Sequence, residues 1–169
     1  YEADDMVASI AKDAKEKGFE VRIVSHDKDL YQLIDDANSV YLFDPTKKQI
    51  INESKCIEKY GVFPNQFTDY QALVGDTADN IPGVKGVGAK TAQTLIEQFG
   101  TLENIYENIE NIDKKRTKEL LIEGKENAFL SKQLVTLKDD CHFISNIDEF
   151  SLPLENPILK IATDLESYD

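Results

Sequence analysis

The chain has no tryptophan, a single methionine, two cysteines and two histidines among its 169 residues. Cys56 and Cys141 form no metal or redox motif, which excludes a cysteine-stapled scaffold and reads as two reduced cytosolic thiols. No apolar run approaches membrane length and no signal peptide is visible, so no membrane role is expected. There is no internal repeat and no low-complexity stretch. Basic side chains are outnumbered, 19 against 32 acidic ones, and the net charge of −13 excludes a simple basic-patch nucleic-acid binder. Contact with a polyanion would instead be weak and dependent on ions. At 41% hydrophobic and 30% charged, the chain can still bury a core, split between a small α/β piece and a larger helical one.

The acidity is not spread evenly. Residues 1–80 hold 9 basic and 16 acidic side chains, and seven of the acids fall in three clusters: Glu2, Asp4 and Asp5; Asp27 and Asp29; Asp76 and Asp79. Without those seven the region would be neutral. The first cluster opens an amphipathic helix with the apolar stripe Ala3, Met6, Val7, Ile10 and Ala14, where acids suit the helix dipole and need no other role. Asp27 and Asp29 follow the strand Val21–Val24, at the strand end where open α/β sheets place their sites. Asp27 also suits an N-cap, and Asp76 and Asp79 suit turn and cap positions. Seven carboxylates converging in one fold would repel unless cations neutralise them. Oxygen-only ligands suit Mg²⁺ or Mn²⁺, and this number suggests more than one ion. Convergence predicts that Asp27→Asn and Asp76→Asn each raise thermal stability without metal, whereas a loss would mark caps or ion-pair partners.

Residues 76–94 join the last of these clusters directly to a glycine-bracketed hairpin. Pro82 and Gly83 stop the preceding helix, and Gly86-Val87-Gly88 makes a tight turn whose Val87 anchors in the core. A helix follows with Ala92, Leu95, Ile96 and Phe99 at helical spacing, and Gly100 ends it. Bare backbone N–H groups at such a helix start favour a phosphate, and Lys85 and Lys90 add charge. Contacts of this kind hold a backbone and carry no base information. The bland alternative is a loop–helix junction with glycine chosen for turn geometry.

The remaining chain reads as a helix over 2–17, a strand over 20–24, a short helix over 28–34, a strand over 39–43 and a turn into a strand at 49–51. Helices are then expected over 54–60, 64–74, 89–99, 101–108, 114–123 and 125–136. An irregular stretch over 138–156 precedes a helix over 158–167. Tyr60, Phe67, Tyr70 and Phe99 read as core. His26 beside Asp27 reads as incidental, His142 has no partner, and Lys114-Lys115-Arg116 reads as a solvated helix start that could touch duplex phosphates.

Glu2-Ala3-Asp4-Asp5, Asp27-Lys28-Asp29 and the run from Gly75 to Ala92 resemble the 5′-nuclease (5′-3′ exonuclease) domain of bacterial DNA polymerase I, within the flap endonuclease superfamily. The order and spacing of all three motifs fit from residue 1 to about 145. The resemblance implies an α/β fold: the carboxyl-terminal part of a PIN-like parallel sheet over 1–61. A helical DNA-binding subdomain over 62–145 would follow, with a helix-hairpin-helix (helix-3-turn-helix) motif at 83–92, and then an acidic tail over 146–169. In the family, two further metal-binding aspartates and a basic helical arch precede the point where this chain begins, so it looks like an N-terminally truncated portion of that domain.

The resemblance further implies two Mg²⁺ or Mn²⁺ ions. Asp4 would lie between them with Glu2 and Asp5 beside it, Asp27 and Asp29 would hold the second ion, and Asp76 and Asp79 would support them. Gly83, Lys85, Gly86, Val87, Gly88, Lys90 and Thr91 would grip DNA, with a monovalent cation on the hairpin carbonyls. The implied substrate is a 5′ flap, nicked or primer-bearing duplex in the bacterial cytoplasm, with a polymerase domain in the same parent chain. Two alternatives stand: a catalytically incomplete duplex-binding module, and a toxin-type ribonuclease, which the hairpin and helical half argue against.

Overall fold

The computed structural model describes residues 1–141, so the expectations for His142, the acidic tail and the 158–167 helix lie outside the described residues. Helix α1 (Ala3–Glu16) buries its small residues Ala8, Ala11 and Ala14, which lets it lie close to strand β1 (Val21–Val24). β1 pairs in parallel with β2 (Val40–Asp44), Val21 opposite Val40 and Val24 opposite Phe43. β3 (Gln49–Ile51) runs antiparallel to β2, so this part of the sheet is mixed rather than wholly parallel. The cause is local: Asp44 Oδ1 accepts from Thr46 N–H and Lys47 N–H, both at 2.9 Å, closing a tight turn. A connection that short can only return antiparallel, because a parallel partner needs a crossover of a dozen or more residues.

The segment expected as a short helix over 28–34 is a 3₁₀ helix, Asp29–Leu33, ended by Ile34 in extended conformation. Helix α2 (Glu53–Tyr60) is capped by Asn52, whose side chain accepts from Lys55 N–H at 3.2 Å. A 3₁₀ turn with Pro64 at its start leads into α3 (Phe67–Val74), so the expected 64–74 helix begins tight and relaxes. Four helices follow: α4 (Ala89–Phe99), α5 (Leu102–Glu107), α6 (Lys115–Glu123) and α7 (Lys125–Val135).

α3 is the keystone. It packs against α7, α4 and α5 on one side and against the Asp29–Leu33 turn on the other. Phe67, Ala72 and Leu73 are essentially inaccessible, and burying each large apolar side chain is worth about 1.5–3 kcal/mol. The Phe67 ring stacks on Tyr31 and meets Tyr60 edge-on, with centroids 5.6 and 4.8 Å away. Buried residues from Ile23 and Leu42 through Phe67 to Leu121 therefore form one continuous core.

The chain after α7 returns to its own beginning. Gln32 Nε2 donates to the Val135 carbonyl at 2.9 Å, and Leu137 N–H donates back to Gln32 Oε1 at 3.1 Å. Lys138 N–H donates to Asp5 Oδ1 at 2.9 Å, Cys141 N–H to Ser9 Oγ at 3.0 Å, and Lys12 pairs with Asp139.

Candidate metal centre and nucleic-acid interface

Three elements bring their acids to one region: the first turn of α1, the loop from β1 into the 3₁₀ helix, and the loop after α3. Burial raises the Asp4 carboxyl above its usual range, and the charges of Asp27, Asp29, Glu2 and Asp5 push it the same way. Asp29 is raised chiefly by burial, partly offset by a hydrogen bond from Gln71, with Asp27 and Asp76 adding repulsion. Asp27 accepts from Asp29 N–H at 2.9 Å, so it shapes its own loop as well as charging it. Asp5 is differently placed. Its two oxygens accept from Lys138 N–H at 2.9 Å and Glu2 N–H at 3.1 Å, and these backbone donors hold its pKa low.

Asp76 and Asp79 sit on a loop pinched shut at its base. Asp76 N–H donates to the Ile81 carbonyl at 2.9 Å, and Ile81 N–H donates back at 2.7 Å. Beneath this bridge Gly75 and Gly83 lie back to back: a Cβ on Gly83 would stand 2.5 Å from Gly75 N. Gly83 N–H is spent inside the protein, donating to the buried Ser131 Oγ of α7 at 2.9 Å. It is therefore not available to a phosphate. The Lys28 ammonium lies against Asp76 and lowers its pKa, while the neighbouring Asp76 carboxyl raises that of Asp79. Asp76 Oδ2 is buried against the Lys28 ammonium, which is its ion-pair partner.

Among the described residues, no three His, Cys, Asp or Glu side chains already stand close enough to hold one ion. The Lys28 ammonium neutralises part of the acids' charge through its pairing with Asp76. The donor set fits a hard divalent cation: it is all oxygen and it carries excess negative charge.

Downstream, helix α3 has already ended at Val74, so Pro82 and Gly83 close the acid-bearing loop rather than stop a helix. Val84 and Val87 are buried, and Val84 N–H donates to the Leu73 carbonyl, stitching the turn to α3. Lys85, Gly86, Gly88 and Lys90 are exposed and Thr91 is half-buried. Among the described residues, the backbone N–H groups of Gly86, Gly88, Ala89 and Lys90 have no protein acceptor. Gly86 needs its glycine, at φ +87° with Leu120 where a Cβ would go, but Gly88 does not: its φ is −96° and a Cβ there would meet nothing. Open space beside unpartnered donors at a helix start is the kind of place that suits an anion.

His26 turns from the acids toward Asp44 and Thr46, with its ring nitrogens 3.5 and 3.3 Å from them. Three contributors escape a reading for charge clusters and periodicity: Lys28, Gln71 and Ser131. Lys28 had a signal, since a lysine between two aspartates sits where its charge is most useful. Among the described residues no helix is long and apolar enough to cross a membrane.

The chain matches two family models: the 5′-3′ exonuclease N-terminal resolvase-like domain over residues 1–61, and the 5′-3′ exonuclease C-terminal SAM fold over 62–157. It is 45% identical over 144 residues to DNA polymerase I of Caldicellulosiruptor bescii, covering 83% of this chain and 17% of that protein. Against the thermostable DNA polymerase I of Thermus thermophilus the identity is 44% over 140 residues, 83% of this chain and 16% of that protein. The chain thus spans under a fifth of either relative. Among solved structures, the bacteriophage T5 5′-exonuclease with bound zinc aligns at a TM-score of 0.74 and 31% identity, over 83% of this chain and 51% of that one. A bacteriophage T5 flap endonuclease complexed with DNA and metal ions aligns at a TM-score of 0.73 and 30% identity, over the same shares. With both halves of its length matched in order, the chain belongs to the 5′-3′ exonuclease family.

Proposed function

We propose that this chain is the metal- and duplex-binding portion of a structure-dependent 5′-3′ exonuclease and flap endonuclease that hydrolyses DNA phosphodiesters in primer removal and repair. One observation carries the reading: the pinched loop bearing Asp76 and Asp79 runs without interruption into the turn where the N–H groups of Gly86, Gly88, Ala89 and Lys90 lack acceptors among the described residues. Carboxylates and phosphate grip are one continuous piece of backbone.

Residues 1–61 supply most of the metal-holding acids and residues 62–145 the grip. Glu2, Asp4, Asp27, Asp29, Asp76 and Asp79 would hold two Mg²⁺ or Mn²⁺ ions, with Asp4 between them. Asp5 stands beside them, both oxygens engaged by backbone N–H groups. When bound, divalent ions supply a hydroxide from coordinated water and neutralise charge at the scissile phosphate. The backbone at Gly86, Gly88 and Lys90, with the Lys85 and Lys90 ammonium groups, would hold duplex phosphates; Val87 fixes the turn from below, Thr91 flanks it, and Gly83 sets its base. A monovalent cation on the hairpin carbonyls fits the same role. The substrate is a 5′ flap, nicked or primer-bearing DNA, in a bacterial cytoplasm, and the parent chain carries a polymerase domain.

A second reading, a duplex-binding module without turnover, is favoured by the separation of the acids among the described residues. One gel experiment separates the two. A 5′-labelled flap duplex is incubated with the chain in Mg²⁺, Mn²⁺ or EDTA. Metal-dependent product that an Asp27→Asn control lacks supports the nuclease; retardation without product supports the module; neither retardation nor product would overturn both.

A further inference from the structure

Gln71 lies on α3, between the two acid-bearing loops, and is only 4% exposed. Its Nε2 donates to Asp29 Oδ1 at 2.5 Å, a bond between the helical half and the α/β half. Its Oε1 is buried and has no hydrogen-bond partner among the described residues. Turning the amide over would not help, because it would set an acceptor against a carboxylate and leave the donors idle. The orientation is therefore fixed: one end of the amide holds Asp29 and the other is an acceptor waiting for a hydrogen. Buried acceptors without partners are rare and call for a donor.

We infer that Gln71 is an outer-sphere residue of the metal centre proposed above, on which this inference rests. Its Nε2 fixes the Asp29 carboxylate, and its Oε1 accepts a hydrogen from a water carried by a divalent cation at Asp29. Mg²⁺ and Mn²⁺ keep part of their hydration when bound, so such a water belongs to the ion itself. Residues that orient metal-binding carboxylates in this way govern affinity although they never touch the metal. A neutral amide suits the place: it adds no charge to a crowded acidic cluster, yet it satisfies both the carboxylate and the hydrated ion. Gln71 is a positioning residue and takes no proton in the reaction.

The test uses Mn²⁺ alone, titrated into the 169-residue chain and followed by the electron paramagnetic resonance signal of free Mn²⁺. Gln71→Met keeps the length and volume while removing donor and acceptor, and Asp29→Asn removes the carboxylate through which Gln71 acts. Gln71→Met is expected to weaken Mn²⁺ binding about tenfold. In an Asp29→Asn background the same change should alter it less than twofold. Wild-type affinity in Gln71→Met, or an equal loss in both backgrounds, would overturn the inference. Absence of Mn²⁺ binding by the wild-type chain would instead overturn the metal centre itself. A thermal melt by circular dichroism checks that each variant folds. Should Gln71→Met fail to fold, Gln71→Asn, which withdraws the amide by one methylene, is read in its place with the same expected weakening.

Discussion

Replacing two glycines of the same loop with alanine should give opposite results, and the structure says by how much. Gly83 sits at φ +59°, where an alanine costs about 1–2 kcal/mol. Its new methyl would stand 2.5 Å from Gly75 N and 2.7 Å from Gly75 Cα, backbone atoms that cannot swing aside. Overpacking of that kind typically adds about 1–3 kcal/mol. Gly83→Ala should therefore lose roughly 2–5 kcal/mol, a large part of the ~5–15 kcal/mol a domain holds. Gly88 sits at φ −96° in open space. Alanine there stiffens the unfolded chain, a gain of about 0.4–1 kcal/mol, and caps α4 less well than glycine, a loss of similar size. Gly88→Ala should unfold in urea within about 0.5 kcal/mol of wild type. In the proposed phosphate grip, however, its methyl would stand where a phosphate approaches the unpartnered N–H groups. Losing one charge-assisted hydrogen bond, about 1.5–3 kcal/mol, weakens duplex binding at least tenfold. Urea denaturation by circular dichroism and anisotropy of a labelled duplex at one fixed salt concentration measure both. A Gly88→Ala variant that binds duplex as tightly as wild type would refute the phosphate-cradle reasoning.

Further outcomes follow from the acids and from two buried side chains. Asp76, held low by Lys28, contributes stability above ~3.9 that is lost as pH falls through its folded pKa, so Asp76→Asn should lower the melting temperature at neutral pH. Asp4 is the reverse case: its raised carboxyl opposes folding above that pKa and the opposition is relieved as pH falls, so Asp4→Asn should raise the melting temperature. Equal shifts of one sign in the two variants would contradict the placement of Lys28. Ser131→Ala strands the Gly83 N–H and should cost about 1–3 kcal/mol in urea denaturation. Cys56 is inaccessible, with burial pushing its thiol up to about 12, and Cys141 is buried, so neither should react with a thiol reagent until the chain is denatured. Rapid modification of either in native buffer would mean that their packing opens locally.

The parts of this fold that could be read in advance are those where punctuation and period agree. Helix α4 begins after Gly88 and ends before Gly100; of the expected stripe Ala92, Leu95 and Ile96 are buried, while Phe99 is half-buried against the same core. The direction of β3 was open to inference from the Asp44–Lys47 turn, whose brevity dictates a hairpin, yet the parallel expectation came from the sheet as a whole. The predicted gain for Asp76→Asn is reversed because it treated the acids as an isolated set. Lys28, three residues from Ser25 in sequence, crosses space to Asp76, and no local pattern reports such a contact. Gln71 was hidden for another reason. The helical face of Phe67, Tyr70, Leu73 and Val74 reads as apolar packing, whereas α3 is buried almost all round, so a polar residue off that face is also interior. Ser131 is legible only once α7 is placed against the hairpin.

The return of residues 138–141 onto α1 has a consequence for how the chain folds. The contacts of Asp5 with Lys138 and of Ser9 with Cys141 join positions more than a hundred residues apart, and they close only when everything between them is in place. Such long-range closure raises contact order, which slows folding and couples distant segments into one transition. A cut at the boundary between residues 61 and 62 would part Phe67 from Tyr31 and Gln71 from Asp29. The two matched family segments are then not two folding units but one, and a chain divided there should refold only when both pieces are mixed.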